Sequence, residues 1–156
     1  MRPREVLRFC RTCIDVAVSR GREKVTESDV YQAEHQCSED SLVDVSFELK
    51  DVAERFCGLP YAFENSVLPL TSSEVAAKLL QGGAAPEEID RARDLLIWFG
   101  FLGYWIPPET ERFSHEYQHD LRKMRGGLGG DPMYTIHPSF RAALSCTLKW
   151  DHSGQR

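Results

Sequence analysis

The run Phe101-Leu102-Gly103-Tyr104-Trp105-Ile106-Pro107-Pro108 marks a change of period in the chain. Before it, apolar residues return every three or four positions, as on one face of a helix. Within it, aromatic and branched side chains follow one another directly, and the proline pair closes the run, so it reads as a strand. Immediately upstream, Pro86 opens a helix with Ile89, Ala92, Leu96 and Phe99 turned inward and Gly100 at its end. Before that helix stands another, introduced by the capping box Thr71-Ser72-Ser73-Glu74, carrying Val75, Ala76, Leu79 and Leu80, and closed by Gly82-Gly83. The tight Gly-Gly-Ala-Ala connection between the two suits a helix-turn-helix.

Working outward, residues 39–57 carry Leu42, Val45, Leu49, Val52 and Phe56 at helical spacing, with Gly58 and Pro60 as stops. Residues 58–70 read as a connection. On the other side, 109–132 is polar and rich in glycine, and Met133-Tyr134-Thr135-Ile136-His137 reads as a second strand. Pro138 starts a last helix, expected to run to about Lys149. Helix, helix, helix, strand, long turn, strand is the order of a winged helix, with 109–132 as the wing.

The N-terminal part is helical as well. Pro3 suits a first turn, and Val6, Phe9, Cys10, Cys13, Ile14 and Ala17 form one stripe, opposite Arg4, Arg8, Arg11 and Asp15. Gly21 ends this helix. Thr26-Glu27-Ser28-Asp29 has the shape of a capping box, with Val25 and Val30 at the staple positions, and opens a second helix expected to reach about Gln36. The reading is therefore mostly α with a small β wing: a helical lid-like segment over 1–37, a winged-helix domain over 38–150 and a tail over 151–156.

The chain of 156 residues is 42% hydrophobic and 28% charged, which is ordinary for a globular domain. Its net charge of −5 gives no global pull toward nucleic acid or an anionic membrane. No apolar run approaches the roughly 20 residues of a membrane helix. Arg8 and Arg11 interrupt the first apolar pattern, which a secretory signal would not tolerate. Five cysteines, an odd number placed mostly at apolar positions, fit a reduced, cytoplasmic protein.

Few residues offer catalytic chemistry. A phosphate-binding loop needs Gly-x4-Gly-Lys-[Ser/Thr], and no such stretch occurs; the glycines at 126–130 sit in a wing rather than between a strand and a helix. Cys10-Arg11-Thr12-Cys13 lacks a second pair at zinc spacing, and His35 and Cys37 add little, so core packing is favoured over metal. His115, Glu116 and His119 would share a helical face, but in a polar segment with nothing to exclude water. His137, before Pro138, suits a helix cap. No catalytic residue, metal or cofactor of its own is expected.

Nucleic acid is the stronger rival function. The helix at 86–99 sets Glu87, Glu88, Asp90 and Asp94 against Arg91 and Arg93, which phosphates would avoid. Arg122, Lys123 and Arg125 in the wing are better placed to touch a DNA backbone.

Two stretches carry a family resemblance. Arg2-Pro3-Arg4-Glu5-Val6-Leu7-Arg8-Phe9, followed after a helix by Lys24-Val25-Thr26-Glu27-Ser28-Asp29-Val30, resembles the helical lid of AAA-type and related P-loop ATPases, including the archaeal and eukaryotic replication initiators. Leu95 to Gly103, with Tyr134 to Arg141, resembles the C-terminal end of a bacterial P-loop ATPase family often found beside mobile or defence genes. The resemblance implies a module that follows an ATPase core, and an arginine that reaches nucleotide phosphates as a sensor, Arg4 first and Arg2 second. The other reading of those arginines is a solvated face, with Arg11 paired to Asp15. The nucleotide-binding core itself has no counterpart here, which implies a fragment or a partner subunit, with ATP relevant only through a core in cis or in trans. The expected function is a non-catalytic C-terminal module that couples nucleotide state to a partner or to nucleic acid. The alternatives are a free-standing DNA-binding regulator and a protein–protein adaptor.

Overall fold

The computed structural model describes residues 3–107, 110–126, 128 and 130–149, with side chains from Val6 onward. The fold is mostly α with a small β part. Helices α1 (Pro3–Ser19) and α2 (Glu27–Val52) form an antiparallel hairpin at the N-terminus. A 3-10 turn at Glu54–Phe56 and another at Leu59–Phe63 lead to the short strand β1 (Val67–Leu68). Then come α3 (Ser72–Gln81), α4 (Ile89–Trp98), β2 (Leu102–Ile106), β3 (Thr110–Arg112), α5 (Leu121–Arg125), β4 (Met133–Ile136), α6 (Pro138–Arg141) and β5 (Thr147–Leu148).

The capping boxes form where the sequence places them. At Thr71, the Glu74 carboxylate accepts from the Thr71 main-chain N–H at 2.6 Å, and the Thr71 hydroxyl oxygen accepts from the Glu74 N–H at 3.2 Å. The aromatic run is strand β2, central in a three-stranded antiparallel sheet of order β3-β2-β4, with Tyr104 opposite both Arg112 and Tyr134. Leu70 extends this sheet beyond β4 through reciprocal main-chain bonds with Tyr134, at 2.8 and 2.7 Å. The same connection that reads as irregular, 58–70, therefore lies in the core: Leu59, Pro60 and Phe63 are buried, and Phe63 meets Phe101 edge to face at 5.5 Å.

Three expectations are corrected. The two helices expected to 36 and from 39 are one, α2, which runs unbroken through Cys37 and Ser38. The last helix stops at Arg141; the chain turns through Ser145, in the left-handed region at φ 51°, and Thr147 and Lys149 donate to the carbonyls of Ser66 and Leu68, so β5 pairs in parallel with β1. The segment expected as a wing, 109–132, is not a loose turn. It contains β3, a 3-10 turn at Ser114–Tyr117 and α5, whose Met124 is fully buried, and Arg112 ties it down by donating to the carbonyl of Gly126 at 2.8 Å.

Among the described residues, two groups of buried side chains hold the fold. The smaller joins Cys13 and Val16 of α1 to Ala33 of α2, with Phe9 against them. The larger runs from Leu42, Val45 and Leu49 through α3 and α4 to the sheet and Leu144. Among the described residues no helix is long and apolar enough to cross a membrane.

Gly103, in the middle of β2, has no room for a side chain. An added Cβ would lie 2.5 Å from the Arg112 carbonyl oxygen and 2.5 Å from the Phe113 ring. Neither the strand nor a buried ring can yield cheaply, so Gly103→Ala should destabilise the protein by about 1–3 kcal/mol, as overpacking of a filled core does. Gly58→Ala, at φ −86° with nothing within 4 Å of the new methyl, should leave stability nearly unchanged. Urea titrations of both variants check the contrast, and equal midpoints would contradict it.

Candidate functional site

The α1–α2 hairpin is held at its turn by one carboxylate. Gly21, at φ 67°, lets the chain leave α1 and brings Arg20 and Arg22 back toward the start of α2. There Asp29 is fully buried. Its Oδ1 accepts from Arg20 Nη1 at 2.8 Å and from Arg22 Nη1 at 2.6 Å. Its Oδ2 accepts from the Thr26 main-chain N–H at 2.9 Å and the Thr26 hydroxyl at 2.7 Å. The hydroxyl bond from Thr26, above all, with the two guanidinium bonds behind it, outweighs burial and holds the Asp29 carboxyl well below the usual carboxylate range. The position of Asp29 in the cap is legible from sequence; the convergence of Arg20 and Arg22 on it is not, because it depends on the left-handed turn at Gly21.

Farther up the hairpin, Arg8 reaches Asp40 at 2.7 Å and Asp44 at 3.8 Å across the helices, and Arg11 lies 3.7 Å from Asp15 on its own helix. Arg4 belongs to the first turn of α1, but its side chain, like all of Arg2, lies outside the described residues. The apolar stripe of α1 is displaced from the one the spacing suggests. Cys13, Val16 and Ala17 are buried, whereas Cys10 is exposed and Leu7, Ile14 and Val18 are 71%, 55% and 66% exposed. Burial pushes the Cys13 thiol up. Among the described residues no group of three or more His, Cys, Asp or Glu side chains could hold a metal ion.

The three cations expected in a wing, Arg122, Lys123 and Arg125, differ among themselves. Asp120 caps α5, accepting from the Arg122 and Lys123 N–H groups at 3.1 Å each, with Lys123 Nζ 3.6 Å from its carboxylate. Arg122 and Lys123 are exposed. Arg125 instead turns back onto the body: its Nε donates to the buried Tyr104 hydroxyl and its Nη2 to Asp94 of α4, each at 2.6 Å. On α4, Arg93 pairs with Asp90 at 2.8 Å, Glu88 just before the helix pairs with Arg55, and Arg91 is exposed.

The histidines do not form one face. Gln118 and His119 are left-handed, at φ 52° and 60°, which breaks the helical spacing after Tyr117. His119 Nδ1 lies 3.1 Å from the Trp98 carbonyl, while the ring of His115 lies 5.7 Å from that of His137. Glu116 accepts from the Phe113 N–H at 3.0 Å, a local turn bond. His137 caps α6, its Nδ1 accepting from the Ser139 N–H at 3.2 Å.

Residues 1–46 match a family described as the FunZ-associated C-terminal helical domain. The matched stretch takes in α1 and most of α2, under a third of the 156 residues. No curated protein and no solved structure matches the chain.

Because the folded Asp29 carboxyl titrates below its unfolded value, it stabilises the fold fully above the unfolded pKa of about 4, and the stabilisation is lost as the pH falls toward the folded one. Asp29→Asn keeps the shape and removes the charge. Its melting temperature should lie below that of the parent at neutral pH, and the gap should close as the pH drops below about 4. Melts recorded from pH 7 to pH 2 test this; a gap that stays constant over the range would mean that the charge of Asp29 contributes nothing.

Proposed function

We propose that this chain is a non-catalytic C-terminal module of a P-loop ATPase, in cis or in trans, and that its winged-helix part is moved by the nucleotide state sensed through the α1–α2 hairpin. The match of residues 1–46 to a domain described as C-terminal and helical supports the accessory role. The observation that carries the coupling is the continuity of α2. Its 26 residues extend about 39 Å at 1.5 Å per residue. One end is clamped to α1 through Asp29, and the other lies in the larger core through Leu42, Val45 and Leu49. A displacement of the hairpin is thereby a displacement of that core.

In this reading Arg4, with Arg2 as second choice, stands at the nucleotide end. A guanidinium is permanently charged and can take two phosphate oxygens at once. The chain supplies no phosphate-binding loop and no catalytic base of its own; ATP belongs to the partner core. A second reading, contact with DNA, draws on the exposure of Arg122 and Lys123. It gives α4 no part in reading sequence, because Arg93 is already paired to Asp90 and four carboxylates flank the two arginines of 86–99.

The test uses the full chain with its ATPase. The chain alone should release no phosphate from ATP above background. Added to the ATPase or fused to it, it should change ATP turnover; Arg4→Ala should remove about tenfold or more of the change, the scale of a lost charge-assisted hydrogen bond, and Arg4→Lys should restore only part. Two glycines inserted after Gln36 should leave association intact and abolish the change in turnover. An ATPase indifferent to the chain, or turnover by the chain alone, would reject the proposal.

DNA binding is separable. If duplex binds, the affinity should be weak, indifferent to sequence, and fall with salt at a log–log slope near −2, as expected for two phosphate contacts. Arg122→Ala with Lys123→Ala should abolish it, and Arg91→Ala should not. Fluorescence anisotropy at two salt concentrations reads this directly. Tight, sequence-selective binding that depends on Arg91 or Arg93 would favour a DNA-reading regulator.

A further inference from the structure

Where α2 faces the 3-10 turn Leu59–Phe63 and the turn after α6, the surface opens into a groove of about 460 Å³. Leu42, Leu144 and Ala143 line its floor, and Val43 and Tyr61 its sides. Val43 and Tyr61 are 44% and 47% exposed, and Phe47, one helical turn beyond Val43, is 62% exposed. Large apolar side chains exposed singly are common; two of them beside a concave apolar floor, with Phe47 continuing the apolar strip along α2, mark a surface suited to another chain.

The charge around the groove selects the kind of chain. Among the described residues, Glu39 and Glu64 are the charged ones that line it. α2 itself carries eight carboxylates (27, 29, 34, 39, 40, 44, 48 and 51) against the single cation Lys50; with Asp29, Asp40 and Asp44 paired to arginines of the hairpin, five remain (27, 34, 39, 48 and 51). The nearby Lys78 donates to the main-chain carbonyl of Glu64, at 3.0 Å, rather than to its carboxylate. An acidic partner would be repelled here, and a purely apolar one would leave the rim carboxylates beside a desolvating surface without a counter-charge.

We propose that this groove docks a basic amphipathic helix of a partner protein, with apolar anchors set between Tyr61 and the Val43–Phe47 ridge and lysine or arginine side chains against Glu39 and Glu64. In helix-in-groove docking the partner helix sets apolar anchors, at three- and four-residue spacing, onto such a floor. The proposal does not rest on the ATPase reading, because the groove lies on the α2–α6 side of the molecule and involves neither the Asp29 clamp nor the wing.

The experiment uses the full chain and two helical peptides of one leucine pattern, with lysine in one and glutamate in the other at the polar positions. Anisotropy titrations at low salt should show the lysine peptide binding at least about tenfold more tightly than the glutamate peptide. Phe47→Ser, at an exposed position where folding is not at stake, should weaken that binding about tenfold, the scale of an interface anchor. Glu39→Lys with Glu64→Lys should reverse the preference between the peptides, and amide shifts on binding should centre on Val43, Phe47 and Tyr61. The proposal is overturned if neither peptide binds, if Phe47→Ser changes nothing, if the charge reversal leaves the preference as it was, or if the shifts centre on Leu7, Ile14 and Val18 of α1. A dimer of the free chain that Phe47→Ser dissolves, without peptide binding, would assign the groove to a second copy and equally overturn it.

Discussion

Because α2 runs unbroken from Glu27 to Val52, it must bury one face near its start and a different one near its end. At about 100° per residue, Asp29 and Ala33, which meet the hairpin, fall on nearly the opposite side from Leu42, Val45 and Leu49, which meet the larger core. Ser38 marks the crossing. It is buried in mid-helix, and its hydroxyl oxygen accepts the Ala143 N–H at 2.9 Å, bringing the end of α6 against the helix where its buried face changes. The rest of the architecture follows from this one helix serving two packing partners. α1 closes its first face, and everything from Phe56 to Leu144 closes its second.

That arrangement makes the hairpin turn a place where charge does the work of packing. The smaller core consists of Cys13, Val16 and Ala33 with Phe9 beside them, too few side chains to fix α1 by apolar burial alone. Asp29 supplies the missing definition by gathering four donors from Arg20, Arg22 and Thr26 onto two oxygens. A buried carboxylate is costly to desolvate unless it is fully paired, and one so paired fixes geometry as well as contributing energy. The exposed pairs Arg8–Asp40 and Arg11–Asp15 lie in water, where such bridges contribute little.

Most of the fold is legible in the sequence wherever a local signal controls the outcome. The capping box at Thr71, the strand at 102–106, the strand at 133–136 and the cap by His137 all depend on neighbours within a few residues, and all stand where those residues imply. The errors come where two signals compete. The shift of buried face at Ser38 imitates a helix break, since a change of phase and a change of helix leave the same mark on an apolar pattern. Strand β3, Thr110–Arg112, has no apolar alternation to announce it; it exists because β2 offers it an edge, with Glu111 bonded to Thr135 and Arg141 on the far strand and α6. Of the residues singled out for function, Arg122, Lys123 and Arg125 stand together in the sequence, which has no means of separating Arg125, whose commitment to Tyr104 and Asp94 is a long-range matter.

The fate of Arg125 bears on what kind of surface this molecule offers. A cation in a glycine-rich turn is commonly available to a ligand, but here the guanidinium links α5 to β2 and α4, satisfying a buried tyrosine hydroxyl that would otherwise be stranded. Arg112, Arg93, Arg55 and Arg141 are likewise bound to main-chain carbonyls or carboxylates of the same chain. Much of the positive charge is thus consumed in holding short, irregular segments together. Beside the exposed Arg91, Arg122 and Lys123, what the described surface leaves open is largely carboxylate and apolar: the carboxylates of α2 not paired to arginine, the Val43, Phe47 and Tyr61 side chains, and the outer stripe of α1 at Leu7, Ile14 and Val18. A surface of that character suits contact with basic, amphipathic protein better than with a polyanion.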